Sequence, residues 1–168
     1  MRISIPSGSE MIRFGEKCGE LAEAGDLLVL TGRVGAGKTT FARGFGRGLG
    51  IETTVSSPTF VLARTHPRRE IHEPPLVHLD AYRLKSAAEL DDLDIDLANS
   101  IVIGEWASPF VNSLGSAWLE LSIVRPETYL NQPDEDEPRV VSIISHGQSS
   151  NLYNRMVSVT EDFHVFGD

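Results

Sequence analysis

Residues 32–39 read GRVGAGKT, a complete match to G-x-x-x-x-G-K-S/T. No other stretch of the chain limits its possible folds so tightly. Glycines let a loop wrap an anion with its backbone N–H groups turned inward, in conformations that side chains obstruct. A helix beginning at the lysine adds unpaired N–H groups and the positive end of its dipole. The flanking sequence supplies that setting. Residues 26–31 (DLLVLT) form a short apolar run of the kind buried on both faces of a central strand. Residues 38–49 follow as a helix that Gly50 ends. Strand, glycine loop and helix is the setting that lifts a phosphate-loop match above a chance pattern, and it points to an α/β chain.

The ligand class follows from the same residues. Gly32, Val34, Gly35, Ala36, Gly37, Lys38, Thr39 and Thr40 are expected to hold a nucleoside triphosphate, ATP foremost. Lys38 places a point charge on the β- and γ-phosphates, and the Thr39 hydroxyl can ligate Mg²⁺.

Around this centre the chain alternates between helical and strand patterns. Residues 9–24 recur at helical spacing (Met11, Phe14, Cys18, Leu21, Ala22), with Ser9 as a candidate N-cap. Residues 59–65 (TFVLART) and 76–80 (LVHLD) are strand-like, and their short connection favours antiparallel pairing. Residues 86–93 form a short helix with Ser86 and Glu89 spaced as a capping box. Residues 101–104 (IVIG) are another buried strand, and residues 118–124 and 140–145 make a late hairpin. Between the last two lies an exposed, acidic, proline-containing loop at 126–138, and 148–157 completes the pattern as a helix. One domain is expected over 1–157, with 158–168 as a flexible tail.

Composition narrows the partners. The net charge is −9 and the sequence pI is near 5.0, which argues against broad binding to nucleic acid. Arg64, Arg68 and Arg69 form the one local basic cluster. A single cysteine, Cys18, allows no internal disulfide, and no run approaches the length of a membrane span. A cytoplasmic protein is the expectation.

A phosphate loop needs an acidic residue on a neighbouring strand. Asp80 and Glu105 stand at the ends of apolar strands, and the residues alone do not rank them: one can bind Mg²⁺ while the other activates water. His78 shares a strand face with Asp80 by the period of two, so it either orients that carboxylate or is a satisfied core histidine. Thr59 lies in SSPTF (56–60), where a hydroxyl can sense the γ-phosphate; a simple turn is the other possibility. Trp106 follows Glu105 and belongs either near the nucleotide or in the core. No N-K-x-D guanine-reading motif is present, which disfavours a GTPase.

GRVGAGKTTF, SSPTF, HLDAYRL and GEW, in that order, resemble the TsaE family, small ATPases of the bacterial machinery that makes threonylcarbamoyladenosine in tRNA. The resemblance runs from about Ser9 to the last predicted helix. It implies a P-loop NTPase fold of the α/β class, a mixed parallel and antiparallel sheet flanked by helices. It also implies Mg²⁺ contact by Thr39 and Glu105, γ-phosphate or water chemistry at Asp80, a switch role for Thr59, which joins Lys38 and Asp80 as candidate catalytic residues, and Trp106 beside the nucleotide. It further implies a weak ATPase that works with the TsaD–TsaB pair, reaches tRNA only through that complex and has no metabolite acceptor. Three departures stand out. Arg33 replaces a usual acidic residue, a threonine common in the first helix is replaced near Met11, and Gly104 stands where an aliphatic residue is usual and is expected to loosen the strand end. The alternatives are a small-molecule P-loop kinase, with the arginine cluster as a lid, and a nucleotide-binding scaffold.

Overall fold

A computed structural model describes residues 1–51, 55, 62–70, 72–107, 110–126 and 137–166. Its eight strands are β1 (Arg2–Ile5), β2 (Leu27–Thr31), β3 (Ala63–His66), β4 (Leu76–Asp80), β5 (Ile101–Glu105), β6 (Trp118–Val124), β7 (Arg139–His146) and β8 (His164–Val165). They form one sheet in the order β3-β4-β5-β2-β6-β7-β1-β8. The centre is parallel, with β2 between β5 and β6 and β4 outside β5. Both flanks are antiparallel: β3 on β4, then β7 on β6, β1 on β7 and β8 on β1. The mixed sheet and both antiparallel pairs match the expectation.

The period of two divides each central strand between two cores. Leu28 and Leu30 of β2 join Ile101 and Ile103 of β5 and Leu119 and Leu121 of β6 on one face. That face is covered by α1 (Gly8–Glu20), α2 (Lys38–Gly48) and α5 (Ser150–Ser158). Leu27, Val29, Val102 and Leu79 face the other way, under the short helices α3 (Ala87–Asp91) and α4 (Val111–Leu114). Among the described residues no helix is long and apolar enough to cross a membrane.

Several boundaries differ from the sequence pattern. The first helix starts one turn's cap earlier, at Ser7, whose hydroxyl accepts from the Glu10 amide at 3.2 Å. β1 was not expected, because four residues are too short to display a period. Its Ile3 and Ile5 are fully buried. Of the residues expected to trail as a tail, Val159–Asp162 form a 3₁₀ turn and His164–Val165 a strand, while 167–168 lie outside the described residues. Val159 and Thr160 are buried in a 3₁₀ turn, Phe163 meets Phe14 edge-on at 5.4 Å, and β8 pairs with β1. Phe163 needs this cover because an aromatic ring left in water forfeits its burial energy. Of the acidic loop, 127–136 lie outside the described residues, and Glu137 at its far end is buried rather than exposed.

The contact that fixes the phosphate-loop helix is between backbones. Gly15 and Gly19 of α1 face Gly44 and Gly48 of α2. A Cβ on any of the four would collide with a main-chain carbonyl of the other helix: Phe41, Phe45, Ile12 and Glu16 respectively. Side chains there would push the helices apart, since backbone cannot yield as a flexible side chain can. Gly44→Ala is therefore expected to destabilise the fold by about 1–3 kcal/mol, the range for overpacking. Urea unfolding monitored by circular dichroism checks it, and an unchanged midpoint would contradict the contact.

Candidate functional site

β2 ends at Thr31 and the chain turns through three glycines with left-handed φ: Gly32 at 141°, Gly35 at 79° and Gly37 at 115°. Gly32 also lies so close to the Ile123 carbonyl on β6 that no Cβ fits. Gly37 begins α2 without a side-chain cap, so the first amides of that helix are served by no capping side chain. Lys38 is 6% exposed and folds back over the loop. Its Nζ donates to the carbonyls of Gly32 (2.8 Å) and Arg33 (3.1 Å) and lies 4.3 Å from the centre of the Trp106 ring. Burial pushes the Lys38 pKa below its ordinary value, while the Glu105 and Asp80 carboxylates pull it back up.

Those carboxylates end adjacent strands, with Asp80 opposite Glu105 in the parallel β4–β5 register. Alternation sets Leu76, His78 and Asp80 of β4, and Ile101, Ile103 and Glu105 of β5, on the face covered by α1 and α2. Glu105 is 3% exposed. Its Oε1 lies 3.5 Å from the Thr39 hydroxyl and 2.9 Å from Nε2 of the fully buried His78. His78 thus meets Glu105 and not Asp80, so of the two readings the sequence left open, the one in which it orients Asp80 is not the one seen. Two residues along one strand stand nearly 7 Å apart, whereas a same-face residue of the next strand is within reach of a long side chain. Asp80 is half-buried, and its Oδ1 accepts from the Tyr82 amide at 3.1 Å to cap the turn Ala81–Arg83. The Thr39 hydroxyl and the Glu105 carboxylate are hard oxygen donors set side by side. That suits Mg²⁺, which takes one or two protein oxygens and completes its shell with phosphate and water. Among the described residues no group of three or more His, Cys, Asp or Glu could hold a metal by itself.

Trp106 is one of two non-glycine residues with positive φ among those described, at 60°. A bulky side chain in that region costs about 1–3 kcal/mol and persists only where its surroundings hold it. Here the ring stands over Lys38 and edge-on to Tyr82, 5.6 Å away. The same turn accounts for Gly104. A Cβ there would stand 2.8 Å from that of Ala107, so glycine allows close packing rather than a looser strand end. Beside Trp106 opens a cavity of about 630 Å³, walled by the outer face of the loop at Arg33 and Val34 and by Ile123 and Val124 of β6.

Arg139 is the site residue that the sequence pattern did not disclose. It starts β7, 103 positions beyond Ala36, yet its Nε donates to the Ala36 carbonyl at 3.1 Å. Its Nη1 bonds the Glu137 carbonyl at 2.6 Å, and the Glu137 carboxylate in turn pairs with Arg125. A lone arginine at the end of an acidic loop carries no local signal of such a reach. Thr59, with all of SSPTF, lies outside the described residues. Of the basic cluster, Arg64 is exposed on β3, while Arg68 bonds the Leu49 carbonyl at 2.8 Å and Glu73 at 3.0 Å.

Comparison with known proteins gives one consistent result. The family model described as threonylcarbamoyl adenosine biosynthesis protein TsaE matches residues 5–132. A protein of Streptomyces coelicolor named tRNA threonylcarbamoyladenosine biosynthesis protein TsaE is 48% identical over 118 residues, covering 68% of this chain and 79% of its own. The Mycobacterium tuberculosis protein of the same name is 39% identical over 130 residues, 73% of this chain and 77% of that one. The crystal structure of Bacillus subtilis YdiB superposes with a TM-score of 0.70 at 24% identity, over 96% of this chain and 95% of that chain, and so shares the fold.

Removing the Arg139 fork should loosen the loop it holds. Arg139→Met is expected to cost about 1.5–3 kcal/mol, the range for a hydrogen bond to a charged group. Hydrogen exchange at the 35–38 amides should quicken. Unaltered exchange there would show that the loop holds its shape without the arginine.

Proposed function

This chain belongs to the TsaE family, and from that membership and the site's geometry we propose that it binds and slowly hydrolyses Mg-ATP as a subunit of the machinery making threonylcarbamoyladenosine in tRNA. The observation that carries the proposal is the convergence of Lys38, Thr39 and Glu105 at the end of the central parallel strands. The loop amides and Lys38 would receive the β- and γ-phosphates, for which Lys38 would exchange the carbonyls it now touches. Thr39 and Glu105 would hold Mg²⁺, whose charge would steady the transferring phosphoryl group. Asp80, half-exposed and on the same sheet face, would position the attacking water. Thr59 takes the switch role that the family resemblance gives it.

Slow turnover by the isolated chain suits this arrangement, because full assembly would await partners of the TsaD and TsaB type. The net charge of −9 supports contact with tRNA only through such partners. A small-molecule kinase is weakened by Arg68, which the Leu49 carbonyl and Glu73 hold to the body and keep from serving as a lid.

Hydrolysis measured with and without the purified partner pair, alongside threonylcarbamoyladenosine formation, tests the proposal. Phosphate release should quicken with the partners, whereas transfer of labelled γ-phosphate to a metabolite would overturn it in favour of a kinase. Lys38→Ala should abolish ATP binding or weaken it severely. Asp80→Ala and Glu105→Ala should leave much of the binding intact but slow turnover by about a hundredfold or more. Equal turnover in both variants and the parent would leave only a scaffold. Trp106 fluorescence should change on ATP addition, because its ring contacts the lysine that the phosphates engage; a silent signal despite proven binding would refute that placement.

A further inference from the structure

We infer that His78 is a positioning residue for the magnesium site, acting through Glu105. The inference rests on the Mg-ATP proposal and names the group that sets the strength of its metal site. His78 is the one polar residue in the fully buried part of β4, between Val77 and Leu79, and it is 0% exposed. A buried imidazole at a strand position that otherwise takes aliphatic residues carries a desolvation cost, so it needs a compensating partner. That partner is Oε1 of Glu105 at 2.9 Å. A carboxylate oxygen only accepts, so Nε2 is the protonated ring nitrogen and donates.

The geometry makes this more than a satisfied core histidine. His78 and the Thr39 hydroxyl converge on the same oxygen, Oε1, from two different elements. The imidazole comes from the neighbouring strand, rigid and locked by its burial. The hydroxyl comes from the first turn of α2, where the phosphate loop delivers it. Without the imidazole, Glu105 would be a nearly buried carboxylate whose described side-chain partner is one hydroxyl at 3.5 Å, free to change rotamer toward solvent. With it, the carboxylate is held beside Thr39, 3.5 Å from its hydroxyl. Partners that orient a metal ligand in this way typically set metal affinity by about ten- to a hundredfold. Asp80, on the same strand, has no such support: its Oδ1 is engaged by the Tyr82 amide. Of the two strand-end carboxylates, Glu105 is thus braced for the metal and Asp80 is left to the backbone turn.

Two near-isosteric variants separate the donor from the packing. His78→Gln keeps an N–H that can reach Glu105, and His78→Met does not. Mn²⁺ affinity for the ATP-loaded protein is read by electron paramagnetic resonance, and ATP affinity in EDTA is read on the same samples. The expected result is a loss of about ten- to a hundredfold in Mn²⁺ affinity for His78→Met. For His78→Gln the loss should be several-fold at most, and metal-free ATP affinity should be unchanged in both. Equal Mn²⁺ affinity in the two variants overturns the inference while leaving the Mg-ATP proposal standing. A parent protein that binds no ATP, with or without metal, removes that proposal and this inference with it. The ¹⁵N shifts of the His78 ring in the unaltered protein give a check that needs no substitution. A proton on Nε2 is required, and one on Nδ1 would overturn the inference even if His78→Met fails to fold.

Discussion

A buried ammonium and a buried carboxylate stand near each other at the carboxyl end of the central strands, and neither is tenable there without compensation. Lys38 is 6% exposed and Glu105 3%. Removing such charges from water costs several kcal/mol apiece unless hydrogen bonds and opposite charge compensate. The compensation is assembled from distant parts of the chain. The Gly32 and Arg33 carbonyls take the ammonium, the Trp106 ring covers it, and His78 and Thr39 take the carboxylate. The left-handed backbone at Trp106 is tolerated because it puts the ring in that place.

The sheet separates this chemistry from the bulk of its support. Because alternate residues face opposite ways, the face bearing His78, Asp80 and Glu105 is the one that α2 enters with Lys38 and Thr39. The reverse face of the same strands is an ordinary apolar layer of Val29, Leu79 and Val102 beneath two short helices. Structure and site thus share five-residue strands without competing for the same positions. The site lies beyond the carboxyl ends of parallel strands, where open α/β sheets gather their ligands.

What could be read from the sequence was what has a local cause. The phosphate loop, β2, β5 and α2 each carry their signal within about a dozen residues: glycine spacing, a wholly apolar run, or a helical period. The β6–β7 hairpin was legible for the same reason. The features that escaped depend on contacts between remote positions. β1 and β8 are too short to show a period and are strands because β1 pairs with β7 and β8 with β1. Arg139 is an unremarkable arginine until β7 brings it to Ala36. The partner of His78 stayed open because spacing along one strand is visible in a sequence and the register between two strands is not. Nor does a list of glycines say which serve a turn and which admit a neighbouring backbone.

The last of these distinctions matters for motion. Helices that touch through side chains can slide or tilt as rotamers adjust, because flexible atoms lie between them. α1 and α2 have no such intervening layer along Gly15, Gly19, Gly44 and Gly48. They behave as one piece, so displacement at the first turn of α2 is absorbed by the glycine loop or carried undiminished to α1. There, Lys17 and Arg13 hold Asp162 of the terminal 3₁₀ turn by ion pairs. The outer surface of α1 is then mechanically continuous with the glycine loop and with Lys38 and Thr39 at the start of α2. A push on that surface would reach Lys38 and Thr39 without anything coming near them.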